Sequence, residues 1–125
     1  MFGHVSLAIA DFKRSRAVYD AVLAPSDVTV LFEAVAENGK PYAACGLDRP
    51  MFWLNSRGAI PGPVHIGFEA GSRAAVGAFH RAAVAAGGRD NGPPGLRPQH
   101  HADYYGAFVL NPAGLNVEAV YVGAA

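Results

Sequence analysis

Hydrophobic and small or polar residues alternate in two similar segments of the chain. In the first, Val5, Leu7 and Ile9 alternate with small residues. The segment 65–71 repeats this pattern in the middle of the chain, and like the first it opens on a histidine. Alternation with a period of two indicates a strand that buries one face. The pattern therefore predicts two equivalent strands, each opening one half of the molecule.

A helix is predicted after each of these strands. Asp11 and Ser72 suit the N-cap position, because their side-chain oxygens can accept hydrogen bonds from the free amides of a first helical turn. Apolar stripes at helical spacing follow over residues 12–23 and 73–86. A proline ends the first helix and two glycines end the second.

Three further strands are predicted in each half. In the first half they lie at 28–35, 42–47 and 51–55, and in the second at 96–99, 107–110 and 115–122. The Gly- and Pro-rich stretch 89–106 is expected to be mainly loop around one short strand. Each half is therefore predicted to be a β-α-β-β-β module.

The predicted fold is α+β. Two β-α-β-β-β modules with curved mixed sheets form a cup around a ligand, and the helices cover its outer face. The chain of 125 residues is expected to be one domain, with module 1 at about 1–57, a linker at 58–63 and module 2 at about 64–125.

Composition and charge narrow the class of protein. Hydrophobic residues make up 51% and charged residues 16%, which excludes disorder as the main state. The formal net charge is zero, which removes the usual electrostatic case for nucleic acid or an anionic membrane. The single cysteine cannot form an internal disulfide, and neither a signal peptide nor a membrane-spanning run is visible. We expect a cytoplasmic protein.

The candidate chemistry is a metal site. His4 and His65 open equivalent strands, and strand parity places both on the face opposite the helices. Glu118 lies on the same face of the apolar strand 115–122. A buried carboxylate without a partner costs several kcal/mol, and a divalent cation can supply the partner. Two imidazoles and a carboxylate suit Fe, Mn, Zn, Ni or Co.

Simpler interpretations stay open for each of these residues. A histidine at the start of a strand is often a surface or packing residue. Glu118 could pair with Arg97, which could also bind an anionic substrate group or remain solvated. Tyr104 and Tyr105 could donate hydrogen bonds to a bound substrate, or only pack at the start of a strand.

Three segments carry a resemblance to a known group. They are the His4-led strand with its helix, the His65-led repeat, and residues 111–118, Asn-Pro-Ala-Gly-Leu-Asn-Val-Glu. The last resembles the Asp-Pro-x-Gly-x-x-x-Glu signature of the glyoxalase/bleomycin-resistance/extradiol-dioxygenase group, the vicinal oxygen chelate superfamily, with asparagine at the first position. The resemblance implies paired modules that form a cup, and metal ligands at positions matching His4, His65 and Glu118. It also implies a homodimer, with ligands supplied by one chain or by two.

The branches of this superfamily fit the chain to different degrees. Glyoxalase I enzymes use a fourth ligand late in the first half, where residues 49–55 offer neither carboxylate nor imidazole. Ring-cleaving dioxygenases and fosfomycin-modifying enzymes use two histidines and one glutamate. The dioxygenases typically also carry a tyrosine where this chain has Phe108.

The predicted function is that of a divalent-metal-dependent enzyme, a lyase, isomerase or dioxygenase. Its small-molecule substrate would chelate the metal through vicinal oxygens. The side chains expected to orient the substrate are Tyr104, Tyr105 and Arg97. The alternative is a metal-free, drug- or metabolite-binding protein of the bleomycin-resistance type. In that case Trp53, Phe52 and Phe108 would line a dry pocket.

Overall fold

Two helices and eight strands form in the order that the sequence predicts for a repeated module. The computed structural model describes residues 3–58 and 64–125. The elements are β1 (Val5–Ala8), α1 (Phe12–Leu23), β2 (Thr29–Val35), β3 (Pro41–Gly46), β4 (Phe52–Asn55), β5 (His65–Glu69), α2 (Arg73–Ala85), β6 (Arg89–Leu96), β7 (Tyr104–Leu110) and β8 (Asn116–Val122). Residues 59–63 of the predicted linker lie outside the described residues.

Each helix begins directly after the residue predicted to cap it. The Asp11 carboxylate accepts a hydrogen bond from the Arg14 amide at 3.3 Å. The Ser72 hydroxyl accepts one from the Ala75 amide at 3.0 Å. Both contacts satisfy amides that have no partner within the first helical turn. No helix among the described residues is long and apolar enough to cross a membrane.

The strands form two four-stranded mixed sheets of the same topology. Their orders are β1-β4-β3-β2 and β5-β8-β7-β6. In each sheet the first strand runs parallel to the last, and the remaining pairs are antiparallel. The sheets are not closed into a barrel, and the predicted α+β fold of two β-α-β-β-β modules is confirmed.

The prediction for the Gly- and Pro-rich stretch was wrong. Residues 89–96 form β6, where a loop was expected, and β7 begins at Tyr104, three residues early. Bulges around Gly92 and Gly95 allow the strand to pair with β7. Prolines are tolerated because β6 is an edge strand. A backbone nitrogen that faces away from β7 has no strand to bond to, so the missing N–H of proline costs no hydrogen bond there.

One hydrophobic core joins the two modules. The helices α1 and α2 pack against each other, and the inner residues of both sheets belong to the same cluster. Phe52 of β4 stands edge-on to Phe68 of β5, with ring centroids 5.2 Å apart. Leu7 and Ile9 are buried in this cluster, as strand parity predicts.

A buried hydrogen bond also connects the modules. The Asn111 side-chain amide donates to the Tyr19 hydroxyl at 2.9 Å. The side-chain carbonyl of Asn111 accepts hydrogen bonds from the backbone amides of Ala113 and Leu115, at 3.0 and 2.9 Å. These bonds shape the turn before β8. A neutral amide both donates and accepts, which suits the asparagine found where the superfamily signature has aspartate. Burial raises the pKa of Tyr19 to about 12.

We predict that Tyr19→Phe lowers the free energy of unfolding by about 1–2 kcal/mol, because it leaves the buried Asn111 amide without its acceptor. Urea denaturation measures the loss. The matched control is Tyr42→Phe, since the Tyr42 hydroxyl makes no hydrogen bond to the described residues and this variant should match the unmodified protein. Equal losses in the two variants would contradict the prediction.

Candidate metal centre

Glu118 is a buried carboxylate in the middle of the second sheet. β8 lies between β5 and β7, and Glu118 is 3% exposed. One carboxylate oxygen lies 2.8 Å from Nε2 of His65 at the start of β5. The other accepts a hydrogen bond from the Tyr104 hydroxyl at the start of β7. Residues far apart in sequence therefore meet at one carboxylate.

Two glycines make room for this carboxylate. Gly67 is the register partner of Glu118 on β5, and Gly106 lies beside it on β7. A Cβ atom added at Gly67 or at Gly106 would lie 3.2 Å from one of the two carboxylate oxygens. Larger residues in the flanking strands would crowd the carboxylate. A glycine inside a strand is typical of a close approach of this kind.

Tyr104 keeps its proton at neutral pH. Burial and the neighbouring Glu118 carboxylate raise the pKa of Tyr104 to about 12, although Arg97 opposes the shift. The phenol is therefore a donor toward Glu118. Its ring also lies 5.0 Å from that of His100.

Arg97 does not pair with Glu118. Its guanidinium donates to the backbone carbonyl of Pro93 at 2.7 Å and to that of Leu96 at 3.3 Å. It also lies over the Phe108 ring, 5.5 Å from the centroid. In the part of the chain that the structure describes, the nitrogen group beside Glu118 is an imidazole and not a guanidinium.

The other predicted substrate-orienting residue, Tyr105, lies on the opposite face of β7. Its ring packs against the core, and the Arg73 guanidinium of α2 lies 5.2 Å above it. Strand alternation separates it from Tyr104 and Gly106, which both approach Glu118. Of the two tyrosines, only Tyr104 contacts the carboxylate.

His4 lies apart from the other two predicted ligands. It is exposed and directly precedes β1 in the first sheet, whereas His65 and Glu118 belong to the second. Within residues 3–58 and 64–125 of one chain, no three histidine, cysteine, aspartate or glutamate side chains are placed to hold one metal ion. The structure thus brings together two of the three predicted ligands.

The aromatic residues of the alternative hypothesis also fall in different places. Trp53 lines a cavity on the first sheet. Phe52 is buried in the core against Tyr19, so it does not line that cavity. Phe108 lies beside the candidate centre, with its ring 5.9 Å from that of His65.

The donor atoms at Glu118 fit a divalent cation. An imidazole nitrogen and a carboxylate oxygen are both common ligands of divalent cations. The observed separation between His65 Nε2 and Glu118 Oε1 is 2.8 Å. The second carboxylate oxygen is held by Tyr104, as expected for a residue that orients a metal ligand.

Solved structures of one group share this fold along almost the whole chain. A glyoxalase/bleomycin resistance protein from Albidiferax ferrireducens T118 is 26% identical, with a TM-score of 0.74 over 96% of this chain and 97% of that chain. A glyoxylase/bleomycin resistance protein/dioxygenase domain from Frankia sp. EAN1pec is 18% identical, with a TM-score of 0.71 over 98% of each chain. No protein-family model and no curated protein matches the sequence.

A more distant structure carries a metal. It is the E126Q mutant of the fosfomycin resistance protein FosX from Listeria monocytogenes, complexed with Mn(II) and 1S,2S-dihydroxypropylphosphonic acid. It is 12% identical, with a TM-score of 0.71 over 99% of this chain and 93% of that chain. Together these likenesses support the resemblance: this chain has the fold of the glyoxalase/bleomycin-resistance/dioxygenase superfamily, the vicinal oxygen chelate fold.

Sequence analysis did not identify Gly106 as part of the candidate centre. The signal was present, because a glycine directly before an apolar strand segment can mark a close approach from a neighbouring strand. Its role becomes visible only when β7 begins at Tyr104, whereas the sequence pattern predicted a start at residue 107. The late start also hid the shared face of Tyr104 and Gly106.

We predict that Gly67→Ala lowers the free energy of unfolding of chelator-treated protein by about 1 kcal/mol, because the new methyl group crowds the Glu118 carboxylate. Urea denaturation is the measurement. Gly71→Ala is the matched control, since nothing lies within 4 Å of a Cβ atom there, and it should leave stability unchanged or raise it. If both variants behave alike, the carboxylate is not confined as described.

We predict a steeper alkaline loss of stability in the unmodified protein than in Tyr104→Phe. The pKa of Tyr104 rises from an ordinary 10.0 to about 12 on folding. Above pH 10 the unfolded chain therefore releases this proton first, and the free energy of unfolding falls until about pH 12. Urea denaturation at several pH values in this window checks the slopes. Parallel slopes would show that Tyr104 ionises as in the unfolded chain.

Proposed function

We propose that this protein is a divalent-metal-dependent enzyme whose small substrate chelates the metal through vicinal oxygens. The observation that carries the proposal is the buried Glu118 carboxylate, held between His65 and Tyr104 with glycines on both sides. Packing alone does not explain a carboxylate at a central position of an apolar strand, with glycines facing it on both flanking strands.

We propose that the third ligand is His4 of a second copy of the chain. His4 is exposed beside β1, which pairs only with β4 among the described strands, and β5 likewise pairs only with β8. Two exposed large apolar side chains lie at the β1 edge: Val5 and Met51. Both free edges and exposed apolar surface favour association with another chain. A homodimer would supply His4 to the partner's His65 and Glu118.

The residues around Glu118 have separable roles in such an enzyme. A divalent cation held by His65, Glu118 and the partner's His4 would act as a Lewis acid toward the substrate oxygens. Tyr104, protonated at neutral pH, fixes the carboxylate through one oxygen and leaves the other for the ligand shell. Phe108 packs beside the His65 ring, and Arg97 above the Phe108 ring places a positive charge near the site.

The alternative function is metal-free binding of a small molecule, as in bleomycin-resistance-type proteins. The observation that favours it is the cavity that Trp53 lines on the first sheet. The two functions differ in metal content, which therefore decides between them.

We predict that the chelator-stripped protein, dialysed against Mn²⁺ or Co²⁺, retains about one ion per chain. His65→Ala and Glu118→Gln should each abolish retention, because each removes a donor atom. His101→Ala is the control, since it removes an imidazole outside this set, and it should retain the metal. Elemental analysis gives the stoichiometry. No retained metal in the unmodified protein would favour the metal-free alternative.

The origin of the third ligand is tested by mixing two inactive variants. His4→Ala and Glu118→Gln homodimers should each bind no metal. When the two chains are refolded together, each mixed dimer has one intact centre if His4 comes from the partner. Random pairing then restores about one quarter of the original metal content. No recovery, in mixtures that light scattering shows to be dimeric, would place His4 in the same centre as its own Glu118. Metal retained by the His4→Ala homodimer alone would place His4 outside the centre.

A further inference from the structure

The first sheet carries an aromatic surface that the metal centre does not use. The rings of Tyr42 on β3 and Trp53 on β4 are stacked, with centroids 6.3 Å apart and planes 25° apart. Phe32 on β2 lies within 6.1 Å of both rings and is 45% exposed. The three rings lie outside the hydrophobic core cluster of the protein. Three clustered rings left outside the core are typical of a binding surface.

A cavity of about 410 Å³ lies against two of these rings, those of Tyr42 and Trp53. Its lining includes Tyr42, Trp53, Ser6 and Asn55. The volume falls within the range of about 300–1,000 Å³ that is usual for small-molecule sites. Asn55 donates from its side-chain amide to the Ser6 hydroxyl at 3.1 Å, so the serine proton remains available to a ligand.

The charged side chains that line the cavity are both positive. They are Lys40 and Arg57, and no carboxylate of the described residues lines it with them. Lys40 precedes β3 and Arg57 follows β4, and since Tyr42 pairs with Asn55 in register, the two cations lie at the same end of the sheet. Neither forms an ion pair with another described residue, so their charge is free to act on a ligand.

We propose that this cavity binds a planar aromatic anion, an aryl carboxylate in the simplest case. The aromatic ring would stack on Trp53 and Tyr42, because offset-stacked rings attract beyond their buried area. The carboxylate of the ligand would face Lys40 and Arg57, because no carboxylate among the described lining residues competes for these two cations. Binding requires residues of one chain only. That the bound anion is also the substrate rests on the proposed function.

The chain's single tryptophan makes the test direct, because Trp53 lies in the cavity wall. Chelator-treated protein is titrated with 4-nitrobenzoate and, separately, with the neutral isostere 4-nitrobenzamide, following Trp53 fluorescence and confirming by calorimetry. We expect saturable binding of the carboxylate, about tenfold tighter than that of the amide, and weaker with added salt. Equal affinities, or quenching that does not saturate, would overturn the proposal.

Variants assign the preference to the named residues. Lys40→Met and Arg57→Met together should remove the difference between carboxylate and amide while both probes still bind. Tyr42→Ala should weaken both probes about equally, because it removes the stacking partner. Lys13→Met, which deletes an exposed cation of α1, is the control and should change neither affinity. A double variant that keeps the full preference would overturn the assignment.

The test is independent of the metal centre. Glu118→Gln removes a proposed metal donor and should leave 4-nitrobenzoate affinity unchanged. Saturable binding in a protein that retains no metal would refute the proposed enzyme and support the pocket. Metal retention without a preference for 4-nitrobenzoate over the amide would support the proposed enzyme and refute the proposed pocket.

Discussion

A carboxylate buried in the central strand of a sheet is the constraint on which the second module depends. Removing Glu118 from water costs several kcal/mol unless hydrogen-bond and charge partners replace the solvent. The structure provides them from both flanking strands, with His65 on one side and Tyr104 on the other. This arrangement requires β5 to run parallel beside β8 and β7 to run antiparallel on its far side, which is the observed strand order. The glycines at 67 and 106 follow from the same requirement, because the carboxylate occupies the space that their side chains would fill.

The core holds the two modules together and thereby fixes where their outer faces lie. Phe52 and Phe68 meet across the modules, and the Asn111 amide reaches the Tyr19 hydroxyl at 2.9 Å. Because the helices pack on this inner side, residues of opposite strand parity are left on the faces away from it. His65 and Glu118 lie on that outer face of the second sheet, and Ser6 and Trp53 lie on the corresponding face of the first.

Periodicity predicted most of the fold because the two opening strands and both helices have regular apolar spacing and clear caps. It failed at residues 89–96, because glycine and proline there are typical of loops, whereas the segment is a bulged edge strand whose pairing partners lie 9 to 21 residues later. Strand parity also predicted that His65 and Glu118 share a face. It could not place His4, since parity assigns a face within one sheet and says nothing about how separate sheets are arranged. The cations Lys40 and Arg57 gave no local signal, because their proximity arises only from the register of β3 and β4.

The two sheets of one chain carry complementary chemistry. The second offers a carboxylate and an imidazole fit for a cation, whereas the first offers stacked rings, two free positive charges and the exposed His4. A substrate with a planar anionic part and vicinal oxygens would need both surfaces at once. In a single chain the described residues do not bring His4 to His65 and Glu118. Association of two chains, first sheet against second, would create two equivalent composite sites by symmetry, since each copy lends the other what it lacks. The proposed homodimer would thus account for the division of the proposed ligands between the two sheets.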